Sequence, residues 1–359
     1  MTTSTILIAA LLAGSSSPAA EVAPAPQGPT WRAAAGSRLR IEVESRHELA
    51  SERDERITGE GSSISQRTFD LDTTIRLAVL DELVERDEQR PLRLERLYEG
   101  SSFEIKTTRS QGRQQTKDVS YAGKGSVEGT GVVFTWVPEE NEYGRYFDRR
   151  EGTEESLPGL EVDLTLRGLL PGAPVEPGAS WSPPISALRG LLTTGGDCDW
   201  QLDDDKGLTL LRTLRVGLGM NLEQAFGGEE EGEVKVTWLG TEEVDGRRLA
   251  LLDIEFDVKL DNDVTERARA STSMVELSKG MQVDSARIGL TLQGGGRLRW
   301  DLEGGHLHDT VDLVARERCR IELTQVAPAK KAGEEPPRLT QLLVMAGRLE
   351  HSIRCTRFE

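Results

Sequence analysis

Cysteine, histidine and aromatic side chains are scarce in this 359-residue chain, which has three Cys, four His and 17 aromatics (Trp 6, Tyr 4, Phe 7). Each shortage excludes something. Seventeen aromatics fall short of the two aromatic girdles that an outer-membrane barrel needs at its interfaces. There is no C-x-x-C, H-E-x-x-H, G-x-S-x-G or P-loop, and "GKGSVEG" at 123–129 lacks the spacing of a dinucleotide loop. Basic residues are in deficit, 44 against 61 acids for a net charge of −17, which disfavours nucleic acid and anionic membranes as partners. The longest N-terminal apolar stretch, Ile6 to Ala13, is too short to span a bilayer.

That stretch reads as the core of an export signal. Ser17 and Ala19 provide small residues at the −3 and −1 places, so residues 1–20 are expected to be a signal peptide, although no Lys or Arg precedes the apolar core. No cysteine follows the core, which argues against a lipid anchor. Residues 21–34, rich in Pro and Ala, read as a spacer. The expected compartment is therefore periplasmic or extracellular.

Beyond the spacer, period-two alternation dominates. In "RLALLDIEFDVKL", Ala250, Leu252, Ile254, Phe256, Val258 and Leu260 share one face, with Asp253, Glu255, Asp257 and Lys259 opposite. Phe69, Leu71, Ile75, Leu77 and Val79 repeat the pattern, as do Leu208, Leu210, Leu214, Val216, Leu218, Met220 and Leu222. Such segments are strands with one buried and one wet face. Further strands are expected at 37–48, 92–106, 130–137, 232–240, 264–276 and 283–293, with "VDGR" at 244–247 and "EGGH" at 303–306 as two-residue turns. Helical signal is confined to "ISALRGLL" at 185–192, inside a Pro/Gly-rich connector, and "VAPAKKAGEEPPR" at 326–338 reads as a polar loop.

With almost no helix to cover them, the apolar faces must be buried by the sheet itself. The expected fold is all-β, with long antiparallel strands in a strongly curved half-barrel or barrel-like sheet. The connector at 169–195 divides it into β-rich halves at 35–168 and 196–359, which allow two similar repeats. Residues 305–326 place Leu307, Val311, Leu313, Ala315, Cys319, Ile321 and Leu323 in one odd-numbered register, a strand long enough to coil.

Little of this carries chemistry. A two-residue turn at Gly304-Gly305 would pair Glu303 with His306 and Asp301 with His308 on the polar face, and Trp300 with Asp309 on the other. Those donors suit zinc in type, but charge pairing on a wet sheet produces the same ladder, so the hairpin is read as scaffold without a metal. "LDDDKG" at 202–207 lacks the ligand alternation of a calcium loop and reads as a solvated turn. His47 and His351 stand alone in the sequence and are read as surface or core residues. Cys319 and Cys355 lie on neighbouring strands, so a disulfide between them and two buried free thiols are both open readings. Cys198 sits between acids, a poor setting for a nucleophile.

Two stretches carry a resemblance. "LPGAPVEPGASW" at 170–181 and the hairpin "GRLRWDLEGGHLHDTVDL" at 296–313 resemble uncharacterised exported bacterial proteins related to LolA/LppX-type lipoprotein-carrier half-barrels. The resemblance implies a concave apolar sheet able to hold an acyl chain. The leading expectation is thus a non-catalytic exported binding protein, without cofactor, whose cleft takes a hydrophobic ligand. Leu252, Ile254, Phe256, Val311 and Leu313 are the expected lining. The alternatives are a structural or protein-interaction component of the envelope, partnered by an envelope protein, and an envelope-polymer hydrolase. A carboxylate pair for the last is not encoded in local spacing.

Overall fold

The computed structural model describes residues 28–58, 61–64, 67–111, 114–149, 154, 157–192, 195–196, 198, 200–202, 222–270, 281–327 and 336–358. The expected signal peptide, most of the spacer, all but Leu222 of the alternating segment 208–222, most of "LDDDKG" and most of the 326–338 loop lie outside these residues.

Fourteen strands form one antiparallel sheet: β1 (Arg38–Thr58), β2 (Gly61–Ile64), β3 (Arg67–Arg86), β4 (Pro91–Gln111), β5 (Gln114–Gly125), β6 (Gly131–Val137), β7 (Glu142–Phe147), β8 (Ser180–Trp181), β9 (Trp200–Leu202), β10 (Glu229–Val244), β11 (Arg247–Asp263), β12 (Gln282–Asp301), β13 (His306–Val326) and β14 (Arg338–Phe358). The order is β7-β6-β4-β3-β1-β14-β13-β12-β11-β10-β8, with β2 beside β1 and β5 between β4 and β9. The order does not close on itself, so the sheet is open. Its centre is the pairing of the first strand with the last, which runs from Arg38↔Phe358 to Thr58↔Leu339.

Strands of 20 or 21 residues are several times the usual length and cannot stay flat. Bulges bend them, among them Ser51/Arg53 against β14 and Trp238/Gly240 against β11. The inward residues join one hydrophobic core that draws on both arms of the sheet, including Ile41, Leu77, Phe134, Leu252, Leu292 and Ile353. The outward face carries ion pairs in rows. Arg76 reaches Glu44 at 2.7 Å and Glu104 at 3.4 Å, Arg46 meets Asp72 at 2.8 Å, and Arg287 meets Asp261 at 2.9 Å. Exposed pairs of this kind add little stability, but they keep the outer face in water. Among the described residues no helix is long and apolar enough to cross a membrane.

The turn at Asp245-Gly246 is as expected: both residues have positive φ (51° and 75°), and Val244 pairs with Arg247, the signature of a two-residue hairpin loop. The helical turn at 185–192 is present as a 3-10 turn, Ile185–Leu188, followed by Arg189–Leu192. Of the strand expected at 264–276, residues 271–276 lie outside the described residues, and Thr265–Ala270 form a helix instead. Asp263 Oδ1 accepts the Thr265 N–H at 2.9 Å, capping the start, and Glu266 pairs with Arg269 one turn on.

The segment 157–192 has few regular elements, yet it lies in the core. Leu160, Val162, Leu164, Leu166, Leu169 and Leu188 are all buried within the cluster lined by the strands. Arg96 fastens it. Its guanidinium donates to Asp81 at 2.6 and 2.8 Å and to the Glu161 and Val162 carbonyls at 2.6 and 2.9 Å, over the Phe134 ring. A second tie runs from the chain's entry into β1. Thr30 O accepts from the Trp300 indole, and Arg32 N donates to Gly305 O. Trp31 packs beneath Arg86 and Arg167.

Candidate functional site

Leu252, Ile254, Phe256 and Leu313 face inward, exposed by 0, 1, 4 and 3%. Val311 does not join them. It pairs with exposed Arg297 on the outward face and is half-buried. The expected single register along β13 fails because the pairing with β12 slips at Arg299/Trp300 and at Gly295/Arg297. The pairing with β14 slips between Asp309 and Leu313, where Asp312 takes a φ of 50°. Each slip moves one residue and so reverses the face.

Among the described residues, three cavities beside the core are lined by none of those five residues. One, about 940 Å³, is an open polar cleft between Arg145, Glu161 and Arg189 on one side and Asn262, Arg267 and Asp284 on the other. A second, about 640 Å³, is a groove with charged Glu42, Glu44, Arg76, Lys124 and Arg354 among its lining. The third, about 40 Å³, lies between Trp31, Val162 and Leu94. In the first, Arg145 is held by backbone carbonyls, those of Leu160 at 3.0 Å and Tyr143 at 2.8 Å. Burial, and then Asp163 nearby, raise the Glu161 carboxyl above the usual range.

The hairpin at 296–313 has a four-residue turn, Leu302–Gly305, and not the two-residue turn expected. Asp301 therefore pairs with His306 and Trp300 with Leu307, and the expected wet row of histidines is not formed. The cause is Asp301, whose Oδ1 accepts the Glu303 and Gly304 N–H groups at 2.9 and 2.7 Å and curls the turn. His306 is buried, donates Nδ1–H to Leu307 O at 2.8 Å, and is held below the ordinary histidine range by burial. His308 is half-buried beside Asp309. No group of three or more His, Cys, Asp or Glu converges to hold a metal among the described residues.

None of the three cysteines is in a disulfide, and all three are buried. Cys319 pairs with Met345, while Cys355 pairs with Ile41, so along β14 the two thiols lie ten positions apart (345 to 355). At about 3.3 Å per residue that separation is far beyond a disulfide's reach, and the bond is excluded by register.

The fold assembles one polar group that the sequence reading kept apart. His47 on β1 and His351 on β14 both face the core. His47 Nδ1 lies 3.0 and 3.1 Å from the two oxygens of Glu317 on β13, and His351 Nδ1 lies 2.5 Å from Ser45 Oγ on β1. Exposures run from 0% for Ser45 to 4% for His351, and both Nε2 atoms are buried with no hydrogen-bond partner among the described residues. Burial pushes His47 toward neutrality, but the Glu317 carboxylate outweighs it and the pKa is raised. Burial, aided by His47, drives His351 down to about 3. A signal existed: each of the four sits in the apolar parity of its strand, between Val43 and Leu49, Ala315 and Cys319, or Leu349 and Ile353. The arrangement is not a hydrolytic triad. The hydroxyl and the carboxylate bond different imidazoles, and none of the three cavities is lined by any of the four.

No family model matches the chain, and no curated protein matches it. Among solved structures, the crystal structure of an outer membrane channel from Pseudomonas putida F1 is similar over 92% of this chain and 98% of that one, at 9% identity and a TM-score of 0.19. A likeness this slight carries no argument about this chain.

Proposed function

We propose that the chain is a non-catalytic, exported structural or protein-interaction component of the cell envelope, whose apolar sheet face serves as its own core. The observation that carries this reading is the buried segment 157–192. Its leucines occupy the inward face that a carrier would leave open, and Arg96 holds the segment there through the Glu161 and Val162 carbonyls. A lipid carrier of this design needs a hollow lined by Leu252, Ile254, Phe256 and Leu313. Those side chains pack in the continuous core instead. The ion-paired outer face suits a protein that works in water, and the open polar cleft of about 940 Å³ offers a contact surface for a polar partner. Export rests on the apolar stretch at 6–13 and the small residues after it.

Titration with cis-parinaric acid tests the choice. The expected result is no saturable fluorescence gain. Stoichiometric uptake that Ile254→Trp abolishes, with the fold intact, would establish the carrier reading instead. Mass spectrometry of the secreted protein should show a new N-terminus near Ala20 or Glu21; a mature protein that retains Met1 overturns export.

A further inference from the structure

The polar group on β1, β13 and β14 sits where the two ends of the chain are joined, and it is built across strand boundaries. Ser45 to His351 spans β1 and β14; His47 to Glu317 reaches from β1 over β14 to β13. On the strands packed around it, the titratable groups are His47 on β1, His351 on β14, and Glu317 and Cys319 on β13; β3 offers Thr73 opposite His47. Cys319 is a neutral thiol, since burial and then Glu317 push it up to about 12.

The charge count follows. With His47 protonated, the closed site balances its imidazolium against the Glu317 carboxylate 3.0 Å away, which favours that form, and His351, held down by burial, is neutral. A second proton has two destinations, both poor. On His351 it places two buried imidazolium ions against one carboxylate. On Glu317 it strips His47 of its counter-charge. An unpaired charge in a dry site is strongly unfavourable, so the proton is excluded unless water reaches the cluster. Water reaches it only when the ladder around Ser45, His47 and His351 parts.

We propose that Ser45, His47, Glu317 and His351 form a proton-operated latch, which holds one proton while closed and takes a second only as the β1–β14–β13 seam opens locally. If the open site binds that proton with an ordinary histidine pKa, opening rises about tenfold per pH unit below about 6.5, and on the order of 100-fold by about pH 4.5.

Hydrogen–deuterium exchange on the full chain at about pH 7.5 and pH 4.5, corrected for the intrinsic rate, reads this out. Acid should lower protection of segments 41–51 and 345–353 by on the order of 100-fold relative to 249–260 of β11. His351→Gln keeps a partner for Ser45 but takes no proton, and it should remove the difference; His308→Gln, outside the cluster, should leave it in place. A uniform loss of protection across all strands overturns the latch, and so does a difference that survives His351→Gln. Should His351→Gln not fold, histidine NMR titration of the wild-type protein decides. A His351 ring that stays neutral to below about pH 5 while closed supports the latch, and one that titrates near 6.5 with protection intact refutes it.

Discussion

His306 and His308 stand two residues apart in one strand but in different surroundings. His306 is 2% exposed, donates to the Leu307 carbonyl, and has a buried Nε2 with no hydrogen bond among the described residues, 3.9 Å from Asp301 Oδ2; the His308 side chain is 22% exposed. Truncation therefore acts unequally. His306→Ala leaves the Leu307 carbonyl without its donor and opens a void beside Trp300's partner strand. Its expected cost is about 2–3 kcal/mol, the range for an orphaned buried acceptor plus lost packing. His308→Ala is expected to cost less than about 1 kcal/mol. Urea unfolding at a constant m-value measures both, and equal small costs would show that His306 is wet after all. The same contrast explains a mistaken expectation. Sequence spacing gives both histidines one parity, but a carboxylate at Asp301 that captures two backbone N–H groups resets the turn and separates their fates.

Among elements, strands with clean alternation were legible and the joints between them only partly so. The pattern at 250–260 maps onto β11 residue for residue, and Asp245-Gly246 adopts the positive-φ turn its sequence demands. Bulges were not legible, because a single inserted residue has no periodic signature; that is why Val311 was placed on the wrong face. The helix at Thr265–Ala270 was hidden because its apolar content is too low to show a helical stripe. That the segment 157–192 is buried was not legible, because proline and glycine mark irregular backbone without saying whether it is buried. Its leucines were the evidence, and Arg96 is the residue that uses them. A lysine there has no fork to serve Asp81 and two carbonyls together. Arg96→Lys should cost about 1–3 kcal/mol, the scale for leaving a buried carbonyl acceptor without its donor while a cation stays beside Asp81. It should also make the 157–192 segment the first site of proteolytic cleavage. A stability loss without early cleavage there would mean that Arg96 supports β3 and β4 but does not hold that segment.

For the whole molecule, the seam between the first and last strands governs the response to pH. The cluster was invisible to local reading because its partners are 306 residues apart for Ser45 and His351 and 270 for His47 and Glu317. Its two histidines act with opposite sign. His47 has a raised folded pKa, so its contribution is full below about 6.5 and is lost as pH rises through the folded value. His351 falls from 6.5 to about 3, so the unfolded chain binds a proton that the folded one refuses. Its penalty is absent above about 6.5 and grows as pH falls, with a ceiling of about 5 kcal/mol at 1.36 kcal/mol per unit. Between about pH 6.5 and 4.5 that amounts to about 2–3 kcal/mol of lost stability. Global unfolding by urea across this range should show the loss in the wild-type protein and a shallower slope in His351→Gln. His47→Gln should instead flatten the decline above pH 6.5, where the folded imidazolium still holds beside Glu317 a proton that the unfolded chain has released. Parallel slopes in wild type and His351→Gln would mean that His351 is already hydrated in the native sheet, and that the acid response comes from surface carboxylates alone.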